Sequence, residues 1–226
     1  MRAAQSFSAN GSTFASAGGD GSIRLWNSDG ERLRVLSGHT GDVEHVAFAP
    51  DGGALASTGA DHTVRFWQVR DGAASNLDAP PFPLSALGFS PDGKWLAAAG
   101  QGDFVRLWRL PGGTTHDLLG HTDQVPAISF SPDGKLVATA SFDHTVRVWS
   151  LETQSPVAVL QHATCVLQCL FAPDGARLAT ITADHLLELW SQPFDRGVPT
   201  SPRPLKEWLA GETTADVSQT GSLRTH

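Results

Sequence analysis

The sequence has few cysteines and few basic residues, and each shortage excludes a class of protein. Its only two cysteines among 226 residues are Cys165 and Cys169. They stand four apart on a predicted strand, about 13 Å at strand rise, which is beyond disulfide reach and wrong for a zinc site. Lys and Arg number 16 against 23 Asp and Glu, so the formal net charge is -7. We therefore expect no nucleic-acid partner, because phosphates require a basic surface.

Long apolar runs are also missing. The opening residues lack the apolar stretch of a secretion signal, and no run approaches the length of a membrane span. We therefore expect a cytoplasmic protein that does not bind or cross a membrane. A phosphate-binding loop is lacking too, because Gly18-Gly19-Asp20-Gly21 lies in a predicted turn between strands without the Lys and helix of such a loop. No cofactor is predicted.

The sequence does contain a strict repeat. Five tryptophans follow one another at intervals of 41 residues: Trp26, Trp67, Trp108, Trp149 and Trp190. Each closes a short alternating run, such as Val146-Arg147-Val148-Trp149, which is the pattern of a β-strand. A hairpin signal stands upstream of each, Asn10-Gly11 in the first repeat and Pro-Asp-Gly in the others. A period near 40 residues predicts small four-stranded antiparallel sheets that stack on one another.

These features resemble the WD40 repeat family, and bacterial members in particular, from Arg2 to about Ser191. The pairs Gly38-His39 and Gly120-His121 match the Gly-His of that family, and the run from Ser57 to Trp67 matches its strand-turn-strand core. The resemblance implies an all-β propeller of five four-stranded antiparallel blades within residues 1–191. Residues 192–226 would then supply the outer strand of the last blade and a loosely ordered tail.

In this family a His, a Ser or Thr, an Asp and the Trp of one blade form a buried hydrogen-bonded tetrad. By position, the tetrads are His39, Ser57, Asp61 and Trp67 in blade two; His121, Thr139, Asp143 and Trp149 in blade four; and His162, Thr180, Asp184 and Trp190 in blade five. A buried Trp N–H needs an acceptor, and a hydroxyl can accept it while donating to a His that a carboxylate orients.

Blade three keeps only Trp108 of its tetrad, because Pro80, Ala98 and Gly102 stand at the three polar positions. A methyl group at Gly102 is therefore expected to cost little stability.

The number of blades leaves two architectures open. The five blades close into a ring, or they form part of a larger propeller of about seven blades. The second is considered because the first repeat begins after the point at which its own Gly-His would stand. If one chain does not close the ring, a homo-oligomer would complete it.

For function, the resemblance implies a non-enzymatic protein-protein interaction scaffold that uses the top face of the propeller to bind proteins or peptides. The candidate contacts are the residues there that fall outside the repeat pattern: Asp42, Pro81, Phe82, Gln101, Phe104, Gln124 and Phe142. Two of these, Phe82 and Phe142, are expected to be exposed anchors that can be truncated without loss of stability. The alternative is a C-terminal sensory or regulatory WD40 region of a larger bacterial signalling protein, for example one with a kinase.

Catalytic and metal sites are not expected. The pairs Asp61-His62, Asp143-His144 and Asp184-His185 belong to separate blades, too far apart to share one ion. The hydroxyl, His and Asp of blade four resemble a catalytic triad on paper, but this arrangement recurs wherever a tetrad does.

Overall fold

The computed structural model describes residues 4–191 and the backbone of residues 203–204. In this part of the chain all regular structure is β, and the strands form five four-stranded antiparallel sheets. The predicted all-β class with five sheets is confirmed. Within the same residues, no helix is present that could cross a membrane.

Each sheet contains four consecutive strands in chain order. Sheet one contains β1 (Ala4–Phe7), β2 (Thr13–Ala17), β3 (Ser22–Asn27) and β4 (Arg32–Ser37). Sheet two contains β5 (Val43–Phe48), β6 (Ala54–Gly59), β7 (Val64–Gln68) and β8 (Ala74–Leu77). Sheet three contains β9 (Leu84–Phe89), β10 (Trp95–Gly100), β11 (Phe104–Arg109) and β12 (Thr114–Leu119). Sheet four contains β13 (Ala127–Phe130), β14 (Leu136–Ala140), β15 (Thr145–Ser150) and β16 (Pro156–Gln161).

Sheet five contains β17 (Val166–Phe171), β18 (Arg177–Thr182), β19 (Leu187–Ser191) and β20 (Arg203–Pro204). The short β20 pairs with β19, Arg203 opposite Leu189 and Pro204 opposite Glu188. Apart from these two residues, the tail expected over 192–226 lies outside the described residues.

The hairpin between the first two strands of each sheet turns at a glycine. Gly134, for example, has a φ of 68°, a backbone conformation that other residues rarely adopt. Its N–H donates to Ser131 O at 2.9 Å, and Ser131 Oγ donates to Asp133 Oδ1 at 2.6 Å. The Pro-Asp-Gly signal therefore forms the tight turn that the sequence predicts.

The sheets pack face to face, and the alternation of each strand decides which residues meet. In sheet four, Ala138, Ala140 and Val148 point to one face, while Thr139 and Trp149 point to the other. We call these two sides the Ala face and the Trp face of a sheet.

The Ala face of one sheet packs on the Trp face of the next. The Ala face of sheet four packs against Leu178 and Trp190 of sheet five through Ala138, Ala140 and Val148. As a result the repeat tryptophans of sheets two to five, Trp67, Trp108, Trp149 and Trp190, are at most 1% exposed.

The sheets pack in an open series within the described residues. The innermost strands pack in series, β1 on β5, β5 on β9, β9 on β13 and β13 on β17. No contact of comparable extent joins the fifth sheet to the first between residues 4 and 191. Five sheets therefore do not close on themselves through these strands.

Candidate functional site

One end of the sheets carries both the loops that lead from one sheet to the next and the turns between second and third strands. These connections share one end because the strands are antiparallel, and we call it the top face. Backbone hydrogen bonds join loop to turn: Ala60 N–H donates to Asp42 O at 2.8 Å, and Phe142 N–H donates to Gln124 O at 2.9 Å. The top-face side chains are thus held on a braced backbone.

Beneath the top face of sheet two, four side chains form a continuous hydrogen-bonded chain. Trp67 Nε1–H donates to Ser57 Oγ at 2.8 Å, and Ser57 Oγ lies 2.7 Å from His39 Nε2. His39 Nδ1 lies 2.9 Å from Asp61 Oδ1. A single neutral tautomer satisfies these contacts, with the Ser57 hydroxyl donating to Nε2 and Nδ1–H donating to the carboxylate.

Sheet four repeats this geometry. Trp149 Nε1–H donates to Thr139 Oγ1 at 2.8 Å, and Thr139 Oγ1 lies 2.8 Å from His121 Nε2. His121 Nδ1 lies 2.8 Å from Asp143 Oδ2. The imidazole is fully buried and the carboxylate is 5% exposed, so the network belongs to the interior of the sheet stack.

The burial of this network changes the pKa of its members. Burial lowers the pKa of His39 and of His121, although the nearby Asp61 and Asp143 carboxylates act in the opposite direction. Burial also acts to raise the pKa of Asp143, but hydrogen bonds from Thr145 and His121 outweigh it and hold that pKa below its usual value. At neutral pH each network therefore contains a neutral imidazole beside a carboxylate.

We expect the free energy of unfolding to fall as the pH drops below about 6.5, the unperturbed pKa of His. The pKa of His121 is lower in the folded chain, so below pH 6.5 the unfolded chain binds a proton that the folded chain does not. This linkage contributes up to about 1.4 kcal/mol per pH unit for each such His.

Urea unfolding at pH 7.5 and 5.5 measures this dependence. The His121→Gln variant should lose about 1 kcal/mol less than the original chain between the two pH values. The control is His144→Asn, because His144 is exposed and its left-handed φ of 68° suits Asn. An unchanged pH dependence in His121→Gln would contradict the assignment of a neutral buried imidazole.

Sheet five departs from this pattern. Trp190 Nε1–H donates to Thr180 Oγ1 at 3.1 Å, and Thr180 Oγ1 lies 2.9 Å from His162 Nε2. Asp184, however, accepts hydrogen bonds from Thr164 and Thr182, at 3.0 and 2.6 Å, and makes none to His162 within the described residues. Three of the four expected members meet, and the exposed Asp184 stands apart.

In sheet three the ring of Phe82 fills the space that polar groups take elsewhere. It lies edge-on to Phe104, with ring centroids 5.1 Å apart, and packs in the apolar cluster around Trp108. A Cβ on Gly102 would lie 2.1 Å from Phe82 Cε1. Trp108 Nε1–H donates to the backbone oxygen of Asp78 at 3.2 Å in place of a hydroxyl.

This packing reverses two expectations from the sequence. Phe82 is half-buried in the cluster, so its truncation should cost stability and it is not a free anchor. A methyl group at Gly102 should also cost stability, because it overlaps a rigid aromatic ring.

All seven candidate contacts lie at the top face, and the structure groups six of them in pairs. Phe82 meets Phe104, Gln124 is joined to Phe142 through the backbone, and Asp42 and Gln101 line one pocket. Four of the candidates are exposed, and Phe82, Phe104 and Phe142 are half-buried. The exposed ones are Asp42, Pro81, Gln101 and Gln124.

The pocket around Asp42 lies between sheets two and three, where their innermost strands reach the top face. Its volume is about 320 Å³, and its lining includes Glu44, His45 and Leu84 beside Asp42 and Gln101. Sequence reasoning missed Glu44 and His45. The signal for them was two consecutive polar residues within the otherwise apolar strand β5.

The sequence family of the chain follows from its repeats. The family model of the WD domain, G-beta repeat, matches residues 3–27, 30–68, 75–109 and 112–150, more than half of the chain. The chain belongs to the WD40 repeat family. The match ends at residue 150, so sheet five, which contains Asp184, lies outside it. No match was found among curated proteins. WD40 domains are generally non-enzymatic scaffolds, and the repeats of this chain imply a protein-interaction role.

A larger groove of about 930 Å³ lies between blades two and three at the opposite end of the WD40 array. Phe66, Phe89 and Leu110 supply its apolar lining, and Asp51 and Asp92 lie at its polar edge. This groove is the alternative candidate to the top-face pocket as a binding surface. Among residues 4–191, no group of three or more His, Cys, Asp or Glu is placed to share a metal ion.

Proposed function

We propose that this chain is a non-enzymatic scaffold that docks a protein or peptide partner on its top face, with a basic side chain of the partner in the Asp42 pocket. The observation that carries the proposal is the convergence of two carboxylates, Asp42 and Glu44, in one pocket that no Lys or Arg lines. A guanidinium or ammonium group complements such a site in charge and in hydrogen bonding.

The size and position of the pocket support a side chain as its occupant. A volume of about 320 Å³ is at the lower end of the range of small-molecule pockets. Asp42 is exposed, and its backbone oxygen accepts a hydrogen bond from Ala60 N–H. The carboxylate is therefore accessible on a backbone that is held in place. Gln101 and Ser85 add polar groups at the rim.

The net charge of -7 favours the same class of partner. The negative field of an acidic protein attracts a basic segment over a long range, and it repels nucleic acid and anionic membrane surfaces. We propose a cytoplasmic location for this scaffold. A regulatory WD40 region of a larger signalling protein, the alternative function, would dock its partner on this same top face.

A random peptide library selected against the full chain tests the proposal. Enriched peptides should contain Lys or Arg, and their affinity, measured by calorimetry, should fall with added salt. The Asp42→Lys substitution should weaken binding at least about tenfold, or about 1.4 kcal/mol, because it places a like charge in the pocket.

The matched control is Asp51→Lys, the same change at an exposed aspartate of the same blade in the opposite groove. This variant should bind the peptides as the original chain does. Loss of binding in Asp51→Lys with none in Asp42→Lys would move the docking site to the 930 Å³ groove and overturn the top-face proposal.

A further inference from the structure

Within the part of the chain that the structure describes, an apolar sheet face is uncovered at the first end of the array. It is the Trp face of sheet one, which carries Phe7, Phe14 and Trp26, and we call it the front face. Phe7 is 68% exposed, whereas Phe48, its counterpart in sheet two, is 9% exposed. Trp26 is half-buried, whereas the other four repeat tryptophans are at most 1% exposed.

Among residues 4–191, the other end of the array presents a second uncovered face. It is the Ala face of sheet five, which carries Leu170, Ile181, Leu187 and Leu189, and we call it the back face. Leu170 is 66% and Ile181 38% exposed. The counterpart of Ile181 in sheet four, Ala140, is fully buried against sheet five.

The front and back faces are the two halves of an interface that the chain already builds between its own neighbouring sheets. In each of the four apolar clusters, small and branched residues of one Ala face pack on the Trp and its neighbours on the following Trp face. Among the sheets that the structure describes, none follows the back face, which is an Ala face, and none precedes the front face, which is a Trp face.

We propose that the front face of one molecule packs on the back face of a second copy of this chain, in the way that neighbouring sheets pack within it. The second copy is the occupant because it presents the matching half in the same repeat geometry. The two patches differ, so the contact is heterologous and joins molecules head to tail, in a closed ring or a filament. The top-face residues take no part, so the contact is independent of the proposed docking role.

Light scattering after size-exclusion chromatography of the full chain, over a concentration series, measures the association. The molar mass should rise with concentration above that of one 23.9 kDa chain. Phe7→Glu on the front face and Leu170→Glu on the back face should each shift association to at least about tenfold higher concentration, because each would bury an unpaired charge. Both side chains are largely exposed in the single molecule, so both variants should fold.

The matched control is Leu119→Glu, at a leucine 69% exposed on β12 in the middle of the array. It should associate as the original chain does.

Mixing the two end-face variants tests the head-to-tail arrangement. Phe7→Glu keeps an intact back face and Leu170→Glu keeps an intact front face, so each alone stays a monomer while the mixture forms a capped one-to-one dimer. Dimerisation of either variant alone would show a contact between like faces and overturn the proposal. A concentration-independent monomer for the original chain would also overturn it, because the end faces would then be covered within one molecule.

Discussion

Asp143→Ala is expected to destabilise the chain by about 3 kcal/mol, the upper end of the cost of leaving buried polar groups without partners. The carboxylate accepts hydrogen bonds from His121 Nδ1–H, from Thr145 Oγ1–H at 2.6 Å and from the N–H groups of Thr122 and Thr145. Its removal leaves the His121 and Thr145 donors buried without partners, and it frees the imidazole that Thr139 depends on. Urea unfolding at pH 7.5 measures the loss.

Asp184→Ala is the matched control for this experiment. Asp184 holds the equivalent position in sheet five, but it is exposed and accepts side-chain hydrogen bonds from two threonine hydroxyls, Thr164 and Thr182. We expect a loss of about 1 kcal/mol or less. Equal losses in the two variants would contradict the role of the buried carboxylate in sheet four.

The sheets could be predicted from the sequence because their signals are local and repeated. A tryptophan every 41 residues, an alternating run before it and a Pro-Asp-Gly turn upstream each determine a strand or a turn without distant contacts. The hydrogen-bonded groups in sheets two and four meet for the same reason: Ser57 and Asp61 belong to one hairpin, so the register of β6 and β7 fixes their positions.

Features that depend on neighbouring sheets could not be predicted in this way. Glu44 and His45 line the top-face pocket only because sheet three brings Leu84 and Gln101 beside them. Asp184 has the expected spacing from His162, yet it accepts hydrogen bonds from the hydroxyls of Thr164 and Thr182 instead. The closure of the array depends on the curvature between sheets, which the repeat period does not specify.

Phe82 shows how the loss of the polar tetrad residues in one sheet creates a new contact. With Ala98 and Gly102 in place of a hydroxyl and a carboxylate, sheet three has a space without polar groups, and the ring of Phe82 enters it from the preceding loop. The sequence marks Phe82 as a residue outside the pattern but does not show that the same sheet has room for it. Its packing therefore follows from these three positions taken together.

Gly102→Ala should consequently destabilise the chain by about 2 kcal/mol, because the new methyl group displaces the Phe82 ring from a packed site. Gly88→Ala in the same sheet is the control, since nothing lies within 4 Å of a Cβ added there. It should change the free energy of unfolding by no more than about 0.5 kcal/mol.

A double-mutant cycle separates this overlap from a general intolerance of side chains at the turn. Phe82→Ala alone should cost about 2 kcal/mol, because it empties part of the cluster around Trp108. Once the ring is gone, the methyl group at position 102 meets no obstacle, so Phe82→Ala with Gly102→Ala should be no less stable than Phe82→Ala alone. The two changes would then couple by about 2 kcal/mol in urea unfolding. Additive losses would mean that the backbone at Gly102, and not the aromatic ring, rejects the side chain.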